Sequence, residues 1–266
     1  MHERFGSLAL LISAMLTLGG CGGNAAKYKF PPFQTLNDIA GNWQFNATSS
    51  VSGTTASSFA GSVNQSEHVI ASALHVSDSS CFDSLTTIDF SGKQGGGKLS
   101  MSSAPVDGQV VTLTGTLTDY TLSGTYTIKG GCADGDHGTV TGSKIPHIPS
   151  SLNGTFTTSA NNTFDAMVQA VEDSGNPDGT FGISGSASFG AACFSSGTLK
   201  PGTFPSGSFV LGRSVVFEIQ TDNGTLSFQG TTDEATGHID GYYTILGSSC
   251  NDSGTAAFSN SDPWAY

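Results

Sequence analysis

Basic residues are scarce in this chain of 266 residues. Lys and Arg together number nine against 21 Asp and Glu, so the net charge at pH 7 is −12. A surface that binds nucleic acid neutralises phosphates with clustered Lys and Arg, and a polybasic contact with an anionic bilayer has the same requirement. The composition therefore predicts no nucleic-acid partner and no polybasic membrane contact.

Recognisable catalytic motifs are also missing. The sequence contains no G-x-S-x-G nucleophile elbow, no H-E-x-x-H zinc motif and no phosphate-binding Walker loop. Its histidines are not paired at the spacing that places two metal ligands on one face of a helix. We therefore predict no catalytic residue, no cofactor and no metal ligand, and we expect a protein that is not an enzyme.

The apolar run at the start of the chain, Leu8–Leu18, is too short to cross a membrane. It has 11 residues, whereas a transmembrane helix needs roughly 20. This length is typical of the hydrophobic part of a signal peptide, and the small residues Gly19 and Gly20 after it suit a signal peptidase.

The segment Leu18-Gly19-Gly20-Cys21 resembles the bacterial lipobox. The resemblance implies that residues 1–20 are a lipoprotein signal peptide and that Cys21 becomes the lipidated N-terminus, held in a membrane by acyl chains such as palmitate. Residues 21–37 would then form a flexible tether. Because Gly22 rather than Asp follows the cysteine, we expect the outer membrane of a bacterial envelope in preference to the inner one.

Cysteines number only five. With Cys21 lipidated, Cys81, Cys132, Cys193 and Cys250 remain, and an even number outside the cytoplasm indicates disulfides. No two of them lie at the short spacing of a zinc knuckle. Taken alone, four cysteines allow three different pairings.

An internal repeat favours one of these three cysteine pairings. The pattern [IL]-x-G-x-[WF] occurs at 39–43 and 152–156, Cys-Phe at 81–82 and 193–194, and the related segments GTYTIKGGC and GYYTILGSSC begin at Gly124 and Gly241. Similar landmarks in the same order predict two homologous units, 38–146 and 147–266. The natural pairings are then Cys81–Cys132 and Cys193–Cys250, one within each unit.

Hydrophobic residues alternate with polar ones through both units. Segments 122–128, 181–189 and 239–245 show this period of two, which is typical of strands with one face on a core. Asp222-Asn223-Gly224 between two such segments predicts a hairpin, and FDAMVQAV at 164–171 is interpreted as a strand. We predict an all-β fold of two tandem antiparallel units, up-and-down barrels being favoured and β-sandwiches the alternative.

The [IL]-x-G-x-[WF] pattern, carried by Gly41, Trp43, Gly154 and Phe156, resembles the first strand of lipocalin and avidin-like barrels. In those families the glycine lets the strand bend and the aromatic residue closes one end of the barrel. The resemblance implies an up-and-down barrel. Avidin-like pockets carry several tryptophans, whereas this chain has two, so biotin binding is not implied.

Three polar clusters are candidates for chemistry. Oxygen-rich loops at 132–138 and 172–179 have side chains that can hold Ca²⁺, but their Asp, Asn, Gly and Pro residues are also those of solvated turns, which we favour. The set Asp134, Asp136 and His137 has no evident counterpart in the second unit. The third cluster, at 233–240, reads as a hairpin loop in preference to an acid–base pair.

These observations support three hypotheses about function. The first is a membrane-anchored envelope lipoprotein that binds a small apolar or glycan ligand. The second is a structural or interaction protein of the envelope that has no small ligand. The third and least favoured is a hydrolase of envelope polymers, which would need a titratable cluster in a cleft.

Overall fold

The computed structural model describes residues 38–51, 57–84, 86–233, 237–247 and 250–259. These residues form strands, turns and loops, with no helix among them. The strands are β1 (Gly41–Ser49), β2 (Ser57–Ser66), β3 (Val69–Ser77), β4 (Thr87–Gly95), β5 (Lys98–Ser103), β6 (Val110–Thr118), β7 (Thr121–Lys129), β8 (His137–Ile145), β9 (Ser151–Thr158), β10 (Thr163–Glu172), β11 (Phe181–Phe189), β12 (Ser196–Leu199), β13 (Phe209–Leu211), β14 (Ser214–Thr221), β15 (Gly224–Thr232), β16 (Ile239–Leu246) and β17 (Asp252–Ser259).

The first eight strands close into an up-and-down barrel, barrel 1. Each strand pairs antiparallel with the next along the chain, and β1 returns to pair with β8. Closure leaves no free sheet edge, which is how small antiparallel barrels avoid edge-to-edge aggregation. The closed ring confirms the predicted barrel over the sandwich alternative.

The remaining strands form barrel 2, which has the same eight positions around its ring. One position is shared by the short strands β12 and β13, both of which pair with β11 on one side and β14 on the other. The ring closes through the pairing of β10 with β9 and with β11. The second unit therefore repeats the first, with a single strand interrupted by residues 200–208.

The predicted strands and hairpin are confirmed. The segment FDAMVQAV lies in β10, and the turn at Asn223 joins β14 to β15 with Thr221 opposite Gly224. Along β7 the side chains of Leu122, Tyr126 and Ile128 are buried while their polar neighbours are exposed, as the period of two requires.

Both predicted disulfides are present. Cys81 bonds to Cys132 and Cys193 to Cys250, with Cα–Cα distances of 5.5 and 5.7 Å. In barrel 1 the bridge joins the β3–β4 loop to the β7–β8 loop, and in barrel 2 it joins the β11–β12 loop to the β16–β17 loop. The two bridges thus occupy the same place in each barrel, as the repeat predicted.

The two barrels are in direct contact. The buried side-chain amide of Asn42 donates to the carbonyl oxygen of Gly212 and accepts from its N–H, both at 2.8 Å. Nearby, the ring of His75 on β3 lies 4.8 Å from the ring of Phe204. Burial lowers the pKa of His75, against an opposing effect of Asp178. These contacts bury part of the outer surface of β1–β3, where Asn42, Ser62, Ala73 and His75 are nearly inaccessible to solvent.

Candidate functional site

The interior of each barrel is filled with large side chains. In barrel 2 the ring of Phe258 lies 5.7 Å from that of Phe217 and 5.1 Å from that of Phe228, and none of the three is exposed. Barrel 1 is centred on Trp43 and Phe45, which are each 1% exposed and stack at 5.4 Å. An eight-stranded barrel is just wide enough to be filled in this way. Three grooves in the described part of the chain lie on the outer faces of the barrels.

A buried tyrosine and an aspartate meet at the disulfide-bearing end of each barrel. In barrel 1 the Tyr126 hydroxyl donates to Asp136 at 2.9 Å, and in barrel 2 the Tyr243 hydroxyl donates to Asp252 at 2.7 Å. A serine hydroxyl donates to the other oxygen of each carboxylate. Burial, aided by the neighbouring carboxylate, raises the pKa of both tyrosines above the ordinary value of 10.0.

The prediction that the first acidic cluster has no counterpart was wrong for Asp136. In both barrels the aspartate stands two residues before a glycine that pairs with the tyrosine, Gly138 with Tyr126 and Gly254 with Tyr243. The repeated element is D-x-G, which the sequence shows at 136–138 and 252–254. It was missed because its distance from the preceding cysteine differs by two residues. Its presence in both barrels, with all oxygens hydrogen-bonded, assigns it a structural role.

Ionisation of these two tyrosines should destabilise the fold at alkaline pH. Because their pKa values are raised in the folded state, the unfolded chain loses their protons first; the stabilisation is intact below pH ~10 and is lost as pH rises toward the folded values. We expect a decline of about 1.4 kcal/mol per pH unit for each tyrosine. The free energy of unfolding, measured in urea from pH 9 upward, should fall less steeply with pH for Y126F/Y243F than for wild type. An equal decline in both would contradict the assignment, and Y242F is the control for loss of a solvent-facing phenol.

The second acidic loop, 172–179, begins at a residue that bonds to the segment 146–150 between β8 and β9. Glu172 accepts from the His147 ring and from the Ile148 N–H, both at 2.8 Å. The hydrogen bond to Glu172 raises the pKa of His147, despite partial burial. Asp173 and Asp178 accept from backbone N–H groups two residues ahead, as expected for turns. Within the described part of the chain, no three His, Cys, Asp or Glu side chains converge as metal ligands.

The third polar cluster is a hairpin loop, as predicted. Asp233 donates its N–H to the carbonyl of His238 and accepts from the N–H of Gly237, which closes the turn between β15 and β16. Glu234 lies outside the described residues. Asp240 is already on β16, with its exposed side chain on the outer face.

That outer face carries an exposed tyrosine. Tyr242 is 74% exposed, and the register places it between Gln229 on β15 and Thr255 on β17. It stands between two shallow grooves of about 460 and 250 Å³. The larger is bordered by Asp240 and Thr157, so the ring is surrounded by hydrogen-bonding groups.

The grooves beside Tyr242 are bordered mainly by polar groups. Besides two alanines, their side chains carry hydroxyls, one amide and one carboxylate, with no Lys or Arg. Tyr242 was not among the residues predicted from the sequence, although a signal for its position was present. In the segment GYYT the period of two that buries Tyr243 turns its neighbour Tyr242 outward.

The other predicted features are placed as follows. Cys21, the signal peptide and the tether lie outside the described residues. Among those that the structure does describe, no helix is long and apolar enough to cross a membrane. Comparison with known proteins gives no family model that matches the chain and no curated protein with significant similarity to it. The lipobox and the resemblance to lipocalin and avidin-like barrels stay predictions.

Proposed function

We propose that the protein is a lipid-anchored protein of the bacterial envelope that binds a neutral glycan on the outer face of barrel 2. The observation that carries this proposal is the position of Tyr242, 74% exposed between two polar grooves. Tyrosine is enriched at binding interfaces because its ring is apolar and its hydroxyl group is polar.

The chemistry of the face favours a sugar over other ligands. A pyranose ring has one face of C–H groups, which can stack on the Tyr242 ring, and an edge of hydroxyls. The carboxylate of Asp240 accepts hydrogen bonds and the Gln229 amide both donates and accepts. The lack of Lys and Arg around both grooves disfavours an anionic ligand. The filled interiors disfavour an apolar ligand held inside a barrel.

Lipid anchoring at Cys21 is supported by the sequence of residues 18–21. The two disulfides agree with it, because disulfides persist in oxidising compartments outside the cytoplasm. The outer membrane is the favoured location on the strength of Gly22. Palmitate labelling of the chain in its host, expected for wild type and absent in C21S, is the measurement for this part of the proposal.

Substitution of Tyr242 by alanine should weaken glycan binding at least about tenfold, the loss typical of a central aromatic contact. The full chain, purified in detergent, would be applied to an array of neutral oligosaccharides and the affinity of each hit measured by calorimetry. Y242F should retain most of the affinity because it keeps the ring. Y120A, which removes a partly exposed tyrosine of barrel 1, is the matched control.

A second candidate function is a structural or interaction protein without a small ligand. The filled barrels and the buried Asn42–Gly212 contact favour it, because packed barrels that bond to each other suit a spacer or a scaffold. The same experiment separates the two functions. If wild type binds no oligosaccharide, or if Y242A binds as well as wild type, the glycan proposal fails and the structural function is preferred.

A further inference from the structure

A second groove lies on barrel 1 and has the opposite charge character. It covers the outer face of β4–β7 and measures about 720 Å³. Its border includes His68, Lys93 and Lys98 together with Ser and Thr hydroxyls, and no Asp or Glu. In a chain with 21 acidic residues and nine basic ones, an acid-free groove with two lysines is a local reversal of charge.

The two lysines are neighbours across the strands. Lys93 on β4 lies opposite Ser100 on β5, and Lys98 is two residues from Ser100 on the same face. Diagonal side chains of this kind are about 7–8 Å apart, within mutual reach. Among the described residues neither lysine forms an ion pair, whereas Lys200 pairs with Glu218 at 3.2 Å. Two unpaired like charges at this separation repel each other, and an anion between them would remove the repulsion.

The floor and walls of the groove suit a chain of sugars. Gly115 and Gly124 lie opposite each other across β6 and β7 and border the groove. The backbone at these two residues forms part of its floor. The hydroxyls of Thr116 and Ser123 stand along its side and can exchange hydrogen bonds with sugar hydroxyls.

We infer that this groove binds an anionic polysaccharide, with a carboxylate of the polymer held between the ammonium groups of Lys93 and Lys98. A polymer strand is favoured over an anionic bilayer because the groove has only two lysines, set among Ser and Thr hydroxyls. Electrostatic binding to an anionic bilayer takes a cluster of about four to eight basic residues. This inference is independent of the Tyr242 proposal, because it concerns another barrel and another class of ligand.

The test is affinity electrophoresis of the full chain in detergent, through gels that contain polygalacturonate or, as the neutral comparison, dextran. We expect polygalacturonate to retard wild type, and K93S/K98S to bind it at least tenfold more weakly. The control K129S/K200S removes the same charge from exposed positions outside the groove and should bind within twofold of wild type. Because exposed charges are screened by salt, added NaCl should weaken the retardation.

Three outcomes would overturn the inference. They are no retardation of wild type by polygalacturonate, equal weakening in K129S/K200S and K93S/K98S, and binding to phosphatidylglycerol vesicles in place of the polymer. Circular dichroism of each variant establishes that its barrels are folded. Y242A should bind polygalacturonate as wild type does, so failure of the Tyr242 proposal and failure of this one give different results.

Discussion

Replacing Cys81 and Cys132 by serine should lower the free energy of unfolding of barrel 1 by about 4 kcal/mol. The bridge closes a loop with a sequence separation of 51 residues, and in the chain-entropy model a loop of this length restricts the unfolded chain by about that amount. Because a domain of this size is stable by only about 5–15 kcal/mol, the loss is a large fraction of the total.

The measurement needs a probe for each barrel, because two barrels in one chain need not unfold together. Trp43 is buried in barrel 1 and becomes the sole tryptophan in a W264F background, so its fluorescence in urea reports barrel 1. Hydrogen exchange resolved by peptide reports both barrels. C193S/C250S should destabilise barrel 2 to a similar extent, since its separation of 57 residues is nearly the same. A loss below about 1 kcal/mol in both variants would show that the loops are held by other contacts.

The parts of the fold that the sequence predicted are those encoded within single segments or in the repeat. The alternation along β7 and β16 can be recognised without knowing which strand is next to which, because the period of two is local. The disulfide pairing followed from the order of landmarks in the two units. Consecutive hairpins were compatible with a barrel or a sandwich, and the resemblance carried by the [IL]-x-G-x-[WF] pattern favoured the barrel without excluding the sandwich.

The surfaces proposed as binding sites depend on register across strands, and only part of this register is encoded locally. Lys93 and Lys98 flank Gly96-Gly97, a pair typical of a two-residue hairpin turn, and both glycines have a positive φ. This turn sets the register of β4 and β5 and makes the two lysines diagonal neighbours. Tyr242 was visible as an outward position, but its neighbours Gln229 and Thr255 come from two other strands. The Asn42–Gly212 contact joins residues 170 apart in the sequence, which no repeat or spacing indicates.

The two glycines of the repeated pattern also show that sequence alone does not reveal why a residue is required. Gly41 has a φ of +130°, a conformation that residues with a side chain rarely adopt. Gly154 is required for space, because a Cβ there would lie 2.6 Å from the ring of Phe258. The shared pattern at 39–43 and 152–156 therefore satisfies two different physical requirements, and the sequence alone does not distinguish them.

Phe258→Ala should destabilise barrel 2 by about 3–5 kcal/mol, the range for loss of a fully buried aromatic side chain. The ring contacts those of Phe156, Phe217 and Phe228, and it is wholly inaccessible to solvent. Rings that pack against one another on three sides cannot collapse easily into the space that truncation leaves. Urea unfolding followed by hydrogen exchange of peptides from β9, β14 and β15 would measure the loss, with barrel 1 peptides as the internal control.

Gly154→Ala tests whether position 154 must be glycine because the Phe258 ring leaves no space for a side chain. In the wild-type background the new methyl group would overlap the ring, and overpacking of this kind costs about 1–3 kcal/mol. In the F258A background the ring is gone, so the same substitution should cost much less, and the double-mutant cycle should give an interaction energy of about 1–2 kcal/mol. Gly41→Ala should be equally destabilising in both backgrounds, because its requirement is the backbone angle in the other barrel. If F258A fails to relieve Gly154→Ala, the glycine is required for a different reason, and the close packing of this ring against β9 does not explain the second copy of the pattern.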